Sequence, residues 1–421
     1  MFTEKKLKNG LRIITAPSSG TKAITLLVLV GAGSRFETEE ERGTAHFLEH
    51  MFFKGADRFK NAQEVSKAID GVGGDFNAFT GKEYAGYYVK IMAEKKEIAF
   101  DLLSDMLLNS KFDQTEIDKE KGVIIEELNM YEDMPVYKVG WDFEQLMFKG
   151  NPMALDQIGL PDVINNMTTA KFKDYQQALY TPENTVITVS GNITPEESEK
   201  LVEQYFTFPS TTKSRTGIPF EYSEISAVNI RDKKTEQAHL IIGYPGYDRE
   251  NEKRYAESIL SIVLGGNMSS RMFLKIREER GLCYSVSCST DRYTDCGTFS
   301  TRAGVALDRV EEAVEAICAE YDRVLTEAPT DEEIQDAKNF LKGKIVMRME
   351  DSEEIASFLG SQALLQDKAQ TLDEYFAKID GVTKEEVLEV AQEIFNNKKR
   401  SMTIIGPFGE KQEVFEKLVR G

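Results

Sequence analysis

Two of the three histidines in this 421-residue chain, His46 and His50, stand four residues apart with Glu49 between them, in the stretch GTAHFLEHMFFKG over residues 43–55. Read as a helix, this spacing puts both imidazoles on one face, one turn apart, with the Glu49 carboxylate beside them. Phe47, Leu48, Met51 and Phe52 then fill the opposite side and anchor the helix in a core. Thr44 is the expected N-cap and Gly55 the expected stop. Two neutral imidazoles on one face suit a metal that favours nitrogen ligands, zinc above all. A neighbouring carboxylate that is not itself a ligand suits a general base for a water activated at the metal. The order His-x-x-Glu-His inverts the commoner His-Glu-x-x-His arrangement. A surface helix that merely carries two histidines is the plainer reading. The near absence of histidine elsewhere and the aromatic neighbours weigh against it.

A catalytic zinc takes three protein ligands and keeps one position for water. The remaining histidine, His239, lies in an apolar stretch of the other half of the chain and reads as a core residue. The segment KEKGVIIEELNM offers Glu120, Glu126 and Glu127. On a helix Glu120, Ile124, Glu127 and Tyr131 share one face, with Val123 close to it. Two carboxylates among apolar neighbours need something to neutralise them. Glu127 could bind the metal while Glu120, two turns earlier, holds a ligand or the helix through hydrogen bonds. An exposed acidic helix explains the same residues without a metal.

The elements that must carry these groups follow from periodicity. Asn9-Gly10 signals a hairpin in LKNGLRIITAP, and AITLLVLV from Ala23 is an apolar run that reads as a buried strand. NAQEVSKAIDGVGG reads as an amphipathic helix ended by glycines, and DFNAFTGKEYAGYYVKIMA as two strands about Gly81-Lys82. Helices are expected over KKEIAFDLLSDMLLNS and TEIDKEKGVIIEELNMYEDM. Trp141 falls in a further helical segment and reads as core. TVITVSGNI is a strand and TPEESEKLVEQYF a capped helix. Residues 207–220, TFPSTTKSRTGIPF, have no apolar period and read as a linker between domains 1–206 and 221–421. The second half repeats the order of the first. EQAHLIIGYPG answers AITLLVLVGAG, and SMTIIGP answers TVITVSGNI. ALDRVEEAVEAICAEYDRVL answers KKEIAFDLLSDMLLN, and the helix from Pro329 answers the one that carries Glu120 and Glu127. The second copy has no counterpart of His46 or His50.

Composition sets outer limits. The formal net charge of −19 argues against nucleic acid as a partner. There is no apolar run long enough for a membrane span. The N-terminal MFTEKKLKNGLRIITAP lacks the continuous apolar core of a signal peptide, so the cytoplasm is the expected compartment. Cys283, Cys288, Cys296 and Cys318 show no Cys-x-x-Cys spacing, which leaves a thiolate zinc site without support.

HFLEHMFFKG followed by EELNMYED resembles the insulinase/pitrilysin family of inverted-motif zinc peptidases, and within it the mitochondrial processing peptidase-like subgroup. The resemblance implies His46, His50 and Glu127 as ligands of one zinc ion per chain, with Glu127 standing 77 residues after His50. It implies Glu49 as the base that deprotonates the attacking water. LGGNMSSRMFLKIREERGLCYSV is similar to the subgroup's glycine-rich loop and following helix. There it implies Arg277 and Tyr284, seven residues apart, as groups that bind the substrate backbone and stabilise the transition state. FNAFT matches the edge strand on which members take in a peptide as an added strand, which implies Asn77 and Ala78 as substrate-binding positions. The fold implied is α+β, with two homologous domains, each a mixed, mainly antiparallel β-sheet with helices packed on one face. The function implied is a zinc metalloendopeptidase that acts on unfolded or extended peptides inside a chamber made by two chains, with a homodimer as the assembly. The alternative within the family is a catalytically silent chamber subunit or peptide-binding protein.

Overall fold

The computed structural model describes residues 2–209, 211–222 and 227–420. The first half runs β1 (Thr3–Lys6), β2 (Arg12–Pro17), β3 (Ala23–Val30), α1 (Thr44–Phe52), α2 (Ala62–Asp70), β4 (Asp75–Thr80) and β5 (Ala85–Met92). Then come α3 (Lys96–Asn109), α4 (Gln114–Asp133), α5 (Pro135–Met147), α6 (Pro161–Asn165), α7 (Thr169–Leu179), β6 (Thr185–Gly191) and α8 (Pro195–Tyr205). The second half has β7 (Val228–Asp232), β8 (Gln237–Gly246), α9 (Arg254–Gly265), a π-helical stretch Phe273–Glu279, β9 (Cys283–Arg292) and β10 (Gly297–Ala306). It continues with α10 (Val310–Val324), α11 (Asp331–Arg348), α12 (Ser352–Gln366), α13 (Leu372–Gly381), α14 (Lys384–Ile394), β11 (Ser401–Gly406) and α15 (Gln412–Arg420).

The chain condenses into two compact units. The first takes residues up to Asn129, Leu155–Ile218 and Val346–Thr371; the second takes Met130–Ala154, Pro219–Ile345 and Leu372 onward. One crossing, between Ile218 and Pro219, falls inside the stretch read as a linker. The others hand one helix each way. Helix α5, from the first half of the sequence, belongs to the second unit, and α12, from the second half, belongs to the first. A single cut along the sequence leaves both with their sequence neighbours.

The first unit is built on a six-stranded sheet in the order β1-β2-β6-β3-β5-β4. The β2–β6 pair is parallel and the other pairs are antiparallel. Strand β3 is apolar at nearly every position because both of its faces are covered. Helices of the first half cover one face, and α12 crosses the other, where Ala356 packs on Leu27 and Leu29, and Leu359 and Ala363 pack with Ile14 and Val186. The close approach needs Gly360: a Cβ there would stand 2.7 Å from Thr188 Oγ1 and 3.0 Å from Leu29 Cδ1. Polar ties hold the helix ends, with Thr25 Oγ1 2.8 Å from Ser352 Oγ, Lys90 Nζ 2.7 Å from Asp351, and Arg12 bonded to the Ala363 carbonyl.

The second unit repeats the plan with five strands in the order β7-β11-β8-β10-β9, of which β7–β11 is the parallel pair. The expected strand correspondences hold in topology, with β8 in the place of β3 and β11 in that of β6; the β9–β10 pair, not anticipated from the sequence, takes the place of β4–β5. Helices α9, α10, α14 and α15 pack on one face in a core around Leu240, Ile242, Phe299 and Tyr321. On the other face α5 sets Val139 and Phe143 against Ile241 and Ile405.

Candidate metal centre

Helix α1 buries Phe47, Leu48, Met51 and Phe52, as its apolar pattern requires, and leaves His46, Glu49 and His50 on the opposite face. The Phe52 ring meets Tyr87 and Tyr180 with centroids 5.3 Å away in each case, and Phe47 meets Phe172 at 5.1 Å. These contacts fix the rotation of the helix and therefore the direction of both imidazoles. The ends differ from the sequence reading. Thr44 is the first helical residue rather than the cap; Gly43 precedes it in the left-handed region at φ 90°, without a side-chain cap of its own. A buried carboxylate from outside the helix does the capping. Glu37 accepts the N–H of Gly43 at 2.9 Å and of Ala45 at 2.7 Å. Burial pushes the Glu37 carboxyl up to about 8, against those two bonds. Gly43 has no substitute, since a Cβ would lie 2.2 Å from the Ile158 carbonyl oxygen. The helix ends at Phe52, with Phe53 as its C-cap, so Gly55 lies beyond the stop. The aromatic run Phe52-Phe53 turns out of the helix before the glycine is reached.

Helix α4 brings its carboxylates to this face by burying Ile117, Glu120, Ile124 and Leu128. His46 Nε2 and His50 Nε2 each lie 3.6 Å from Glu127 Oε2. The two rings are edge-on to each other with centroids 4.8 Å apart. A separation of 3.6 Å is too long for a hydrogen bond. It matches the distance between two ligand atoms on a tetrahedral zinc, about 3.3–3.6 Å for bonds of ordinary length. Among the described residues this is the one group of three or more His, Cys, Asp or Glu side chains whose ligand atoms converge so closely. Two imidazole nitrogens and a carboxylate oxygen are also the donor types of a catalytic zinc site, so the residues present fit that ion. Glu126 is not in the group.

Electrostatics favours the same state. Burial, with His50 beside it, pushes the His46 imidazole down to about 3, so it is neutral at ordinary pH as a ligand must be. Burial raises the Glu127 carboxyl, as expected of an acidic group that lacks a full counter-charge. Glu120 takes the role of a support. His50 Nδ1 donates to its Oε1 at 3.0 Å, and Lys54 Nζ lies 2.5 Å from its Oε2. Burial alone would raise Glu120, but those two bonds hold it below the usual range. Among the described residues the buried His46 Nδ1 atom has no hydrogen-bond partner, so the two imidazoles are not supported alike.

Residues 12–156 match the family model described as insulinase (peptidase family M16), and residues 166–341 match that of the peptidase M16 inactive domain. A protein of Streptomyces coelicolor named an uncharacterized zinc protease is 34% identical over 413 residues, covering 96% of this chain and 90% of its own length. The uncharacterized zinc protease YmxG of Bacillus subtilis is 34% identical over 410 residues, covering 97% and 99%. The chain belongs to the insulinase family of peptidases. Its fold is shared by a protease from Helicobacter pylori, with a TM-score of 0.89, 22% identity and coverage of 97% and 99%. A peptidase M16 inactive domain from Pseudomonas fluorescens gives a TM-score of 0.90, 19% identity and coverage of 97% and 98%. Among the described residues, no helix is long and apolar enough to cross a membrane.

The remaining candidates of this insulinase-family chain are spread over both units. Asn77 and Ala78 lie on β4, the edge strand of the first sheet, opposite Tyr88 and Tyr87 of β5. The Asn77 side chain accepts the Ala78 N–H at 2.9 Å. Arg277 and Tyr284 belong to the second unit, on the π-helical stretch and at the start of β9. They come together there: the guanidinium lies 4.5 Å from the Phe273 ring centre and 5.8 Å from that of Tyr284, and Tyr284 is 79% exposed. His239 sits in β8 between Gly304 and Ile405, outside the metal-type group. The four cysteines are buried.

Three residues escaped the sequence reading. Glu37 caps the motif helix from eight residues upstream of Ala45, a distance at which no local rule applies. Lys54 pins Glu120, and its place four residues after His50 on the same face was a usable signal. Thr80 donates its hydroxyl to Glu49 Oε2 at 2.5 Å. It lies in FNAFT, and strand alternation puts it on the same side as Ala78.

Proposed function

We propose that this chain is a zinc-dependent endopeptidase that hydrolyses peptide bonds in unfolded or extended peptides. The observation that carries the reading is the convergence of His46 Nε2 and His50 Nε2 on Glu127 Oε2, each at 3.6 Å and all three ligand atoms within 4.8 Å of one another, with Glu49 on the same face of the same helix. His46, His50 and Glu127 would hold one zinc ion per chain. When bound, it supplies Lewis acidity for the scissile carbonyl and the attacking water. The chain's own groups do the rest. Glu49, whose carboxyl is raised by burial and pulled back by Thr80, takes the proton of the attacking water and returns it to the departing amine. Glu120, held by Lys54, keeps the His50 ring in place through Nδ1. Asn77 and Ala78, on an unpaired strand edge, receive the peptide backbone as an added strand, a mode that tolerates many side chains. Arg277 and Tyr284 hold the substrate and meet the charge that develops on its carbonyl oxygen. The assembly in this reading is a homodimer that encloses its substrate.

The test measures bound zinc and the cleavage of a mixed peptide library. About one zinc per chain should be found, and His46→Ala, His50→Ala and Glu127→Ala should each lose it. Glu49→Gln should keep zinc and lose turnover by roughly two orders of magnitude or more. Full zinc retention in all three ligand variants would sink the ligand set. Near-normal cleavage by Glu49→Gln would remove Glu49 from the chemistry. A zinc-loaded wild type that cleaves nothing would favour the silent, peptide-binding alternative.

A further inference from the structure

Strand β4 touches the motif helix near both of its ends. Phe76, near its start, packs on Phe53 just past the end of α1 with ring centroids 5.6 Å apart. Thr80, its last residue, donates its hydroxyl to Glu49 Oε2 at 2.5 Å. The strand alternates exposed and half-buried residues from Asp75 to Thr80, so Phe76, Ala78 and Thr80 share the face turned to the helix. Pairing with β5, Thr80 opposite Ala85 and Ala78 opposite Tyr87, fixes where that hydroxyl stands.

The surroundings leave Glu49 few other ties. Tyr87 and Tyr180 lie close enough to feel its charge, but their hydroxyls bond to each other at 2.7 Å. Both rings are buried and pack on Phe52. A carboxylate has two oxygens and rotates freely about its last bond unless one oxygen is engaged. A hydroxyl that donates to a carboxylate makes a short, strong, charge-assisted bond. Thr80 engages Oε2 in this way, and among the described residues no hydrogen-bond donor engages Oε1, the oxygen left to receive a proton.

We propose that Thr80 is a positioning residue whose hydroxyl fixes the Glu49 carboxylate in the orientation that accepts a proton, tying the base to the strand that receives the peptide. The idea rests on the peptidase reading above for its catalytic meaning, and on the Thr80–Glu49 contact alone for its structural meaning.

The experiment compares wild type, Thr80→Val and Thr80→Ser. Valine keeps the volume and loses the donor; serine keeps the donor. Thr80→Val should retain zinc and a KM close to wild type but lose kcat by about 10- to 100-fold, the scale of a misplaced reacting group. Thr80→Ser should restore kcat to within a few-fold, a rescue that a purely structural role would not give. Thr80→Ala makes the same demand as Thr80→Val should the valine methyl crowd Glu49 and unfold the protein. Zinc-free crystals supply a readout independent of activity. The Glu49 carboxylate should be turned in Thr80→Val and unmoved in Thr80→Ser. Wild-type kcat in the folded Thr80→Val and Thr80→Ala variants, or an unmoved Glu49 carboxylate in their crystals, would overturn the proposal. If the wild type cleaves no peptide, the peptidase reading falls, and the crystal comparison still decides whether Thr80 orients Glu49.

Discussion

Replacing Glu120 by alanine should weaken zinc binding by roughly 10- to 100-fold, the usual cost of removing a partner that orients a metal-binding histidine. Glu120 accepts from His50 Nδ1 at 3.0 Å, and its side chain is 8% exposed against 23% for His50, so solvent screens the bond only in part. A hydrogen bond to a charged group contributes about 1.5–3 kcal/mol, which converts to roughly 10- to 100-fold in Kd. Glu120→Gln keeps a carbonyl oxygen for the Nδ1–H but removes the charge. It should cost only the difference between a charged and a neutral bond, about 1 kcal/mol or roughly fivefold. Lys54→Met leaves the carboxylate in place and removes one partly exposed ion pair, worth at most about 1 kcal/mol. Competition for zinc against a chelator of known affinity, at one pH, gives all three values. Thermal unfolding of the zinc-free proteins checks that each variant is folded. A folded Glu120→Ala protein with wild-type zinc affinity would refute the claim that this carboxylate supports His50.

Mixing Glu49→Gln chains with Arg277→Ala chains tests the two-chain site. If each site draws Glu49 from one chain and Arg277 from its partner, random exchange should return roughly a quarter of wild-type activity, and a mixture that exchanges subunits yet stays inactive rules that arrangement out. Gly360→Ala should destabilise the first unit by about 1–3 kcal/mol in urea unfolding through overpacking, because its Cβ would stand 2.7 Å from Thr188 Oγ1; an unchanged midpoint would mean that α12 does not sit tightly on the sheet. Glu37→Gln should be less stable than wild type, because its amide NH2 faces a backbone N–H that a carboxyl oxygen accepts in the wild type. Burial lifts Glu37 to about 8, above its unfolded value, so the wild type loses stability as pH rises from about 4.5 toward 8. The deficit of the variant should therefore be largest near pH 5 and shrink toward pH 8, and a deficit that grows with pH would mean that the carboxylate is ionised in the fold.

The pieces of this protein that were legible in advance are those encoded at short range. The i, i+4 spacing of His46 and His50 fixes two imidazoles on one helix face wherever that helix packs. The alternation in FNAFT and the unbroken apolar run of β3 declare strands with one and two buried faces. The order of elements in the two halves announces a duplication, which the two sheets repeat over five strands each around one parallel pair, with β1 added at the edge of the first. Helix boundaries were less legible. Thr44 has the residue type of a cap, yet the cap is Glu37, because a buried carboxylate from a neighbouring loop reaches the first N–H groups before the helix's own side chain does.

Sequence alone determined that Glu120, Glu126 and Glu127 ride one helix, with Glu120 and Glu127 on a shared face. Only the packing of Ile117, Ile124 and Leu128 turned that helix so that Glu127 meets both imidazoles and Glu120 backs His50. The same division holds for α5 and α12. Their apolar faces say that each must be covered, and the chain then sets each on the sheet of the other half. A hydrophobic period records which side of an element leaves water, since that depends on neighbours a turn away. It does not record the surface that replaces the water, because that choice is made by shape and volume between residues hundreds of positions apart, as when Gly360 admits Thr188 and Leu29.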